Sequence, residues 1–300
     1  MGLIDAAALA ELEASVAAAL EAGDDSGLTV LGYGEISLVV GWPREEPAVA
    51  AKRLPVFTHR RDAEAYGRLV EEYVAALGDR GVRVVASEYH VTDVGVGLGW
   101  AAYVVQPILA PGALGPTALR AHTDAGHTDA GRGLLVRIVT TIASAVDAGV
   151  GLDGQLSNWA DPPDGLAYFD VTTPMLNDRS GATRLDLRLL TSPLPAATRP
   201  LVRRFVAPGI TAKYHRPRDV LVDLAANLLK ERLDSWVDPT IELANEHVTP
   251  AITAEEVRKY YRSDALTWEA MLRLRKADRW WQHRVRRRPY ASLLPHDVTR

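Results

Sequence analysis

The sequence predicts an α+β protein in two parts, an antiparallel β-sheet first and a mainly helical region second. Three observations predict it. Residues 28–57 carry β-branched runs broken by glycine and proline. Beyond about residue 131, apolar residues recur at helical spacing instead. The length, 300 residues, is roughly two domains at about 150 residues each. Apolar residues at 47% and charged residues at 24% are values of an ordinary folded chain and exclude a disordered tail or fibrous repeat. Without cysteine there is no disulfide framework, thiolate nucleophile or thiolate-bound metal. A net charge of −4 gives no electrostatic reason to expect nucleic acid as a partner.

The first segment, residues 1–27, reads as an Ala-rich amphipathic helix with Leu9, Leu12, Val16 and Leu20 on one side. Its acidic residues and lack of a basic start are unlike a secretory signal, and a cytoplasmic protein is expected. LTVLGYGEISLVVGW (28–42) predicts two strands joined by a glycine turn, and PAVAAKRLPVF (47–57) a third, with Lys52 on the face of Ala50 and Leu54. Tyr66, Leu69, Val70, Tyr73, Val74 and Leu77 predict a helix from about Arg61, ended by Gly78 and Gly81. VRVVASEYHV and WAAYVVQPIL give two further strands, completing a sheet region over 28–109. Residues 110–131 read as a Gly/Pro/Ala-rich connector with the tandem repeat HTDAG-HTDAG. The helical region, 110–300, then holds a helix from Gly131 to Gly149, a hairpin NWADPPDGLAYFDV, and a helix through Val220, Leu224 and Leu228. A capping box at Thr253–Glu256 opens a further helix, and a long terminal one follows.

Chemistry is suggested by four features in order. Gly32-Tyr-Gly34-Glu35 could let main-chain N–H groups approach phosphate oxygens, although an ordinary hairpin turn is the plainer reading of a solitary Gly-x-Gly. Lys52 is the only lysine before Lys213 in a chain with five lysines and 29 arginines. A compact ammonium there suits polyphosphate, provided a carboxylate fixes it; Glu71 on the next helix is the candidate, with Glu64 in reserve. Asp153 and Asn158 stand five residues apart, and Asp170 closes the following hairpin. Antiparallel strands return to their starting end, so Asn158 and Asp170 should lie side by side. Two oxygen ligands open to phosphates suit Mg²⁺, with Asp153 opposite as proton acceptor. Capping of turns is the plainer role for Asp and Asn. Together the four describe a site for a nucleoside triphosphate and Mg²⁺.

GYGEISLVV, AAKRL, YVVQPIL, LDGQLSN and YFDVT together resemble the glycine-rich loop, lysine strand, hinge, catalytic loop and metal segment of the protein-kinase-like superfamily, over about residues 28–236. The resemblance implies a two-lobed kinase-like fold using ATP and Mg²⁺. It implies Lys52 on the phosphates paired with Glu71, Gly32 and Gly34 over them, and backbone near Gln106 and Ile108 against the adenine. Asp153 would be the base, and Asn158 and Asp170 would hold the metal. The chain departs from the family pattern: Gly151-Leu152 precedes the aspartate, Gln155 stands where many protein kinases have lysine, and no Ala-Pro-Glu follows. These departures look more like the branch of aminoglycoside and choline kinases, whose acceptor is a hydroxyl of a small molecule. A nucleotide-binding pseudokinase acting as a scaffold, or a protein kinase, are the alternatives.

Overall fold

Asp5 opens the first helix, its carboxylate accepting the Ala8 N–H at 2.8 Å, the bond an N-terminal turn otherwise lacks. This is seen in a computed structural model, which describes residues 2–34, 37–95, 97–191, 198–199 and 207–284. Helix α1 (Ala6–Ala22) buries Leu9, Leu12 and Val16, the expected stripe, and ends on Gly23 at φ 68°. Strands β1 (Thr29–Tyr33), β2 (Leu38–Trp42) and β3 (Val49–Arg53) follow, then α2 (Arg60–Asp79), β4 (Glu88–Gly95) and β5 (Gly99–Pro107). They form one antiparallel sheet in the order β1-β2-β3-β5-β4.

Strand alternation sends successive residues to opposite faces. Val49, Ala51, Ala101, Tyr103 and Val105 pack with α1 in one core. Leu54, Ala102 and Val104 pack with α2 in the larger core that continues into the helices. Lys52, opposite Val104 in the ladder, therefore shares the face of Leu54, as expected. The next residue, Arg53, points the other way and makes a buried two-pronged ion pair with Glu13 of α1 at 2.7 and 2.8 Å.

The helical region comprises α3 (Gly115–Asp124), α4 (Thr128–Ala145), the two-residue strands β6 (Trp159–Ala160) and β7 (Ala167–Tyr168), and helices α5 (Leu187–Thr191) and α6 (Ala207–Lys213). Helices α7 (Pro217–Lys230), α8 (Val237–Asn245) and α9 (Ala254–Arg284) complete the described chain. No described helix is long and apolar enough to cross a membrane.

Several expectations are corrected. The supposed connector 110–131 is largely helix, because its proline and glycine fall at element ends: Pro116 sits in the first turn of α3, and Gly126 follows its last residues at φ 68°. The apolar run from Val82 joins the sheet only at Glu88. Before that, Val85 N–H donates to Tyr168 O and Tyr168 N–H to Arg83 O, so this stretch pairs with the hairpin instead. Helix α8 was not foreseen, and the last two expected helices are one continuous α9. Thr253 does accept the Glu256 N–H at 3.2 Å, but Glu256 turns to Arg218 at 2.6 and 2.8 Å instead of closing the box.

Candidate active site

Lys52 reaches from β3 to the far end of the hairpin. Its Nζ donates to Phe169 O at 3.0 Å and to Asp170 Oδ1 at 3.3 Å, across 118 residues of sequence. The ammonium also lies 5.0 Å from the centre of the Phe169 ring. Gln106 of β5 reinforces the junction: its Nε2 donates to the same Phe169 O at 2.9 Å and to Ser87 Oγ at 2.9 Å. The hairpin closes as its turn residues predict. Trp159 pairs with Tyr168, and Phe169 N–H donates to Asn158 O at 3.1 Å, so Asn158 and Asp170 leave the hairpin at one end.

Asp153 stands in a short segment pinned from several sides. Tyr73 OH donates to Gly151 O at 3.0 Å, Leu152 N–H to Tyr214 O at 3.1 Å, and Trp159 Nε1 to Gly154 O at 3.3 Å. Gly154 is wedged so tightly that a Cβ would come within 2.6 Å of Val220 and 2.7 Å of Ile142. These contacts hold the aspartate without the preceding histidine or arginine that the sequence lacks. Asn158 Nδ2 donates to Asp153 O at 3.2 Å, which leaves Oδ1 as its oxygen donor. On Asp170, Lys52 and Thr172 both bond Oδ1, at 3.3 and 2.7 Å, leaving Oδ2. Two hard oxygens from adjoining strand ends are a donor set that fits Mg²⁺.

The two aspartates are driven apart electrostatically. Burial, then the carboxylates of Asp223 and Asp170, push Asp153 from 3.8 up to about 8, against the Gln155 N–H and Lys213. Burial would raise Asp170 as well, but the Lys52 ammonium and the Thr172 bonds outweigh it and hold that carboxyl below its usual value. One group favours holding a proton and the other stays charged, the division that acid–base and cation-binding roles require.

Not every expected residue joins this group. Glu71 is exposed on α2, and Glu64 pairs with Arg60 at 2.7 Å. The carboxylate at Lys52 is that of Asp170, because the α2 face toward the sheet is taken by Ala63, Tyr66, Gly67 and Val70. A Cβ on Gly34 would lie 2.4 Å from Ser37 Oγ, a contact that rotation of the serine side chain relieves, and a Cβ on Gly32 would meet nothing within 4 Å. Glu35 lies outside the described residues. Ile108 N–H is already given to Ala48 O at 3.1 Å, and Gln106 offers its side chain to the hairpin.

A family model described as "Family of unknown function (DUF6206)" matches residues 11–279. The chain belongs to the DUF6206 family. No curated protein matches it. Among solved structures, one titled "WaaP in complex with acyl carrier protein" is similar at 15% identity and a TM-score of 0.39, over 87% of this chain and 92% of that chain. So low a score carries no argument about the site, whose chemistry must be read from the DUF6206 chain itself.

That chain adds residues which sequence reasoning missed. Gln155 is tied to α7, its Nε2 donating to Asp223 Oδ2 at 3.4 Å and its Oε1 accepting from Asn227 Nδ2 at 3.2 Å. Tyr260 of α9 donates to Asp223 Oδ1 at 2.8 Å. Lys213, at the end of α6, lies 3.6 Å from Asp223 Oδ2 and donates to Tyr260 Oη at 2.5 Å. Two signals were available: the scarcity of lysine that singled out Lys52, and an aspartate and asparagine on the apolar stripe of α7.

Proposed function

We propose that the protein is a two-lobed, kinase-like phosphotransferase that uses ATP and Mg²⁺ to phosphorylate a hydroxyl of a small molecule. The observation that carries this reading is the meeting of Lys52 with Asp170, beside Asn158 and Asp153. In it, Lys52 exchanges Phe169 O and Asp170 for phosphate oxygens, a task suited to a compact ammonium. The hairpin of Gly32 and Gly34 lies over the phosphates, and the segment from Gln106 to Leu109 borders the base. With its N–H taken by Ala48, Ile108 contributes its side chain and carbonyl there. Asp170 Oδ2 and Asn158 Oδ1 would hold Mg²⁺, which would supply positive charge to neutralise the polyphosphate.

Asp153 is the base. Its Oδ1 accepts the Gln155 N–H at 3.2 Å, so Oδ2 takes the acceptor's proton. The acceptor oxygen bonds the γ-phosphorus as the bond from that phosphorus to the β–γ bridging oxygen breaks, and ADP leaves with that electron pair. A raised proton affinity suits this role, since a base works best when its pKa lies near the working pH.

Thermal-shift titration with ATP, with and without Mg²⁺, tests the reading. MgATP is expected to raise the melting temperature, corresponding to about 2.7 kcal/mol at 100 times the dissociation constant, and ATP alone to raise it less. A flat response to both overturns the proposal. Binding without turnover, as in a scaffold or regulator, is the second reading, favoured by the exposure of Glu71. ADP formation in the presence of hydroxyl acceptors decides between them.

A further inference from the structure

Lys213 is the second lysine of the chain, and the three after it, Lys230, Lys259 and Lys276, are exposed. Lys52 and Lys213 are the two drawn inward, with side chains 10% and 20% exposed. Lys213 is held by side chains of α7 and α9 and by its neighbour Tyr214. Its Nζ lies 2.5 Å from Tyr260 Oη and 3.6 Å from Asp223 Oδ2, and 4.6 and 5.3 Å from the ring centres of Tyr214 and Tyr260. An ammonium carries three N–H donors. Among the described residues only Tyr260 lies within hydrogen-bond distance, which leaves donors for an anionic oxygen.

The charges around Asp153 are arranged to match. Three carboxylates, Asp153, Asp170 and Asp223, face two ammoniums. Lys52 serves the Asp170 side. On the Asp153 side the loop itself offers only Gln155, a neutral amide fixed between Asp223 and Asn227, while Lys213 is close enough to favour the charged form of Asp153. A cation beside the base stands where negative charge passes from nucleotide to acceptor.

We propose that Lys213 is a phosphate-binding residue that contacts the transferred phosphoryl group from the acceptor side, with Asp223 and Tyr260 as its positioning residues. This rests on the phosphotransferase reading above. The plainer role for Lys213, a counter-ion that only neutralises buried Asp223, makes a different prediction about ligands.

Calorimetry with MgADP, alone and with aluminium fluoride as a mimic of the phosphoryl group in flight, separates the two. The wild-type protein is expected to bind MgADP more tightly when aluminium fluoride is present. Lys213→Met is expected to cut that gain by roughly tenfold or more, with the affinity for MgADP alone held within about twofold. The paired variant Lys213→Met/Asp223→Asn leaves no orphan carboxylate and is expected to lose the same gain, so a folding defect in the single variant does not decide the matter. Tyr260→Phe, which keeps every charge but releases the ammonium, is expected to lose part of it. A full gain in the paired variant overturns the assignment, as does wild-type binding of MgADP with no gain at all. Wild-type protein that binds no MgADP in any condition overturns the phosphotransferase reading instead.

Discussion

The carboxyl of Asp153 sits between two others and under protein, and its proton affinity follows from that placing. With Asp153 raised from 3.8 to about 8 by the fold, the unfolded chain gives up this proton first. The stability gained from folding around a neutral Asp153 is therefore full below the unfolded value and lost as pH rises through the folded one. Asparagine has no proton to lose. The melting temperature of Asp153→Asn should thus exceed that of the wild type by a margin that grows between about pH 4 and about pH 8; a constant margin in buffered melts removes the buried-acid account. The same variant should lower turnover by roughly 10²–10⁴-fold with MgATP binding retained, and normal turnover means that Asp153 is not the base. Lys52→Met should weaken MgATP binding in the thermal-shift titration, because it removes the ammonium that bonds Asp170 and Phe169 O. Lys52 was legible because lysine is rare here and this one follows a glycine turn on a strand. Lys213 was equally rare but lies in no recognisable pattern, and only the approach of α6, α7 and α9 gives it partners.

At the scale of elements, α1 is joined to the sheet by a buried charge pair as well as by its apolar stripe. Arg53 and Glu13 are 6% and 4% exposed, and Tyr103 OH also donates to Glu13. Removing one partner strands a buried charge, so Glu13→Ala should destabilise the protein by about 3–5 kcal/mol in denaturant unfolding. A loss near zero means that the pair is not buried in solution. The tandem repeat shows how context overrides sequence. Gly126, ending the first HTDAG, takes φ 68° after α3. Gly131, ending the second, lies inside α4, where a Cβ would stand 2.5 Å from the Trp236 ring. Gly131→Ala should accordingly cost about 1–3 kcal/mol by overpacking. Helix gain dominates if the variant is more stable than wild type. The amphipathic stripes of α1, α2, α4 and α7 were readable from apolar spacing alone. The helical nature of 110–131 was not, because glycine and proline content hides whether those residues fall inside an element or at its ends.

Across the whole molecule, Phe169 O receives both Lys52 and Gln106, so two strands of the sheet hold one carbonyl of the hairpin. Gln106→Leu removes one donor and leaves Ser87 Oγ without that partner, and should cost about 1–3 kcal/mol. Amide exchange should quicken at Tyr168 and Phe169, and unchanged protection there excludes Gln106 as a tie between sheet and hairpin. The expected pairing of Lys52 with Glu71 fails for a reason of the same scale. The register of α2 on the sheet is set by Tyr66, Val70 and Tyr73 in the core, which turns Glu71 outward.

The sequence by itself determined the division into sheet and helices, the faces of the strands and helices, and the return of the hairpin that sets Asn158 beside Asp170. These are local matters of period and turn chemistry, legible wherever a few neighbouring residues decide the outcome. Tertiary structure alone decided which carboxylate meets Lys52, what supports the Asp153 loop, and that Lys213, Asp223 and Tyr260 converge beside it. Most of these contacts join residues 37 to 118 positions apart, and no local pattern encodes how separate elements dock.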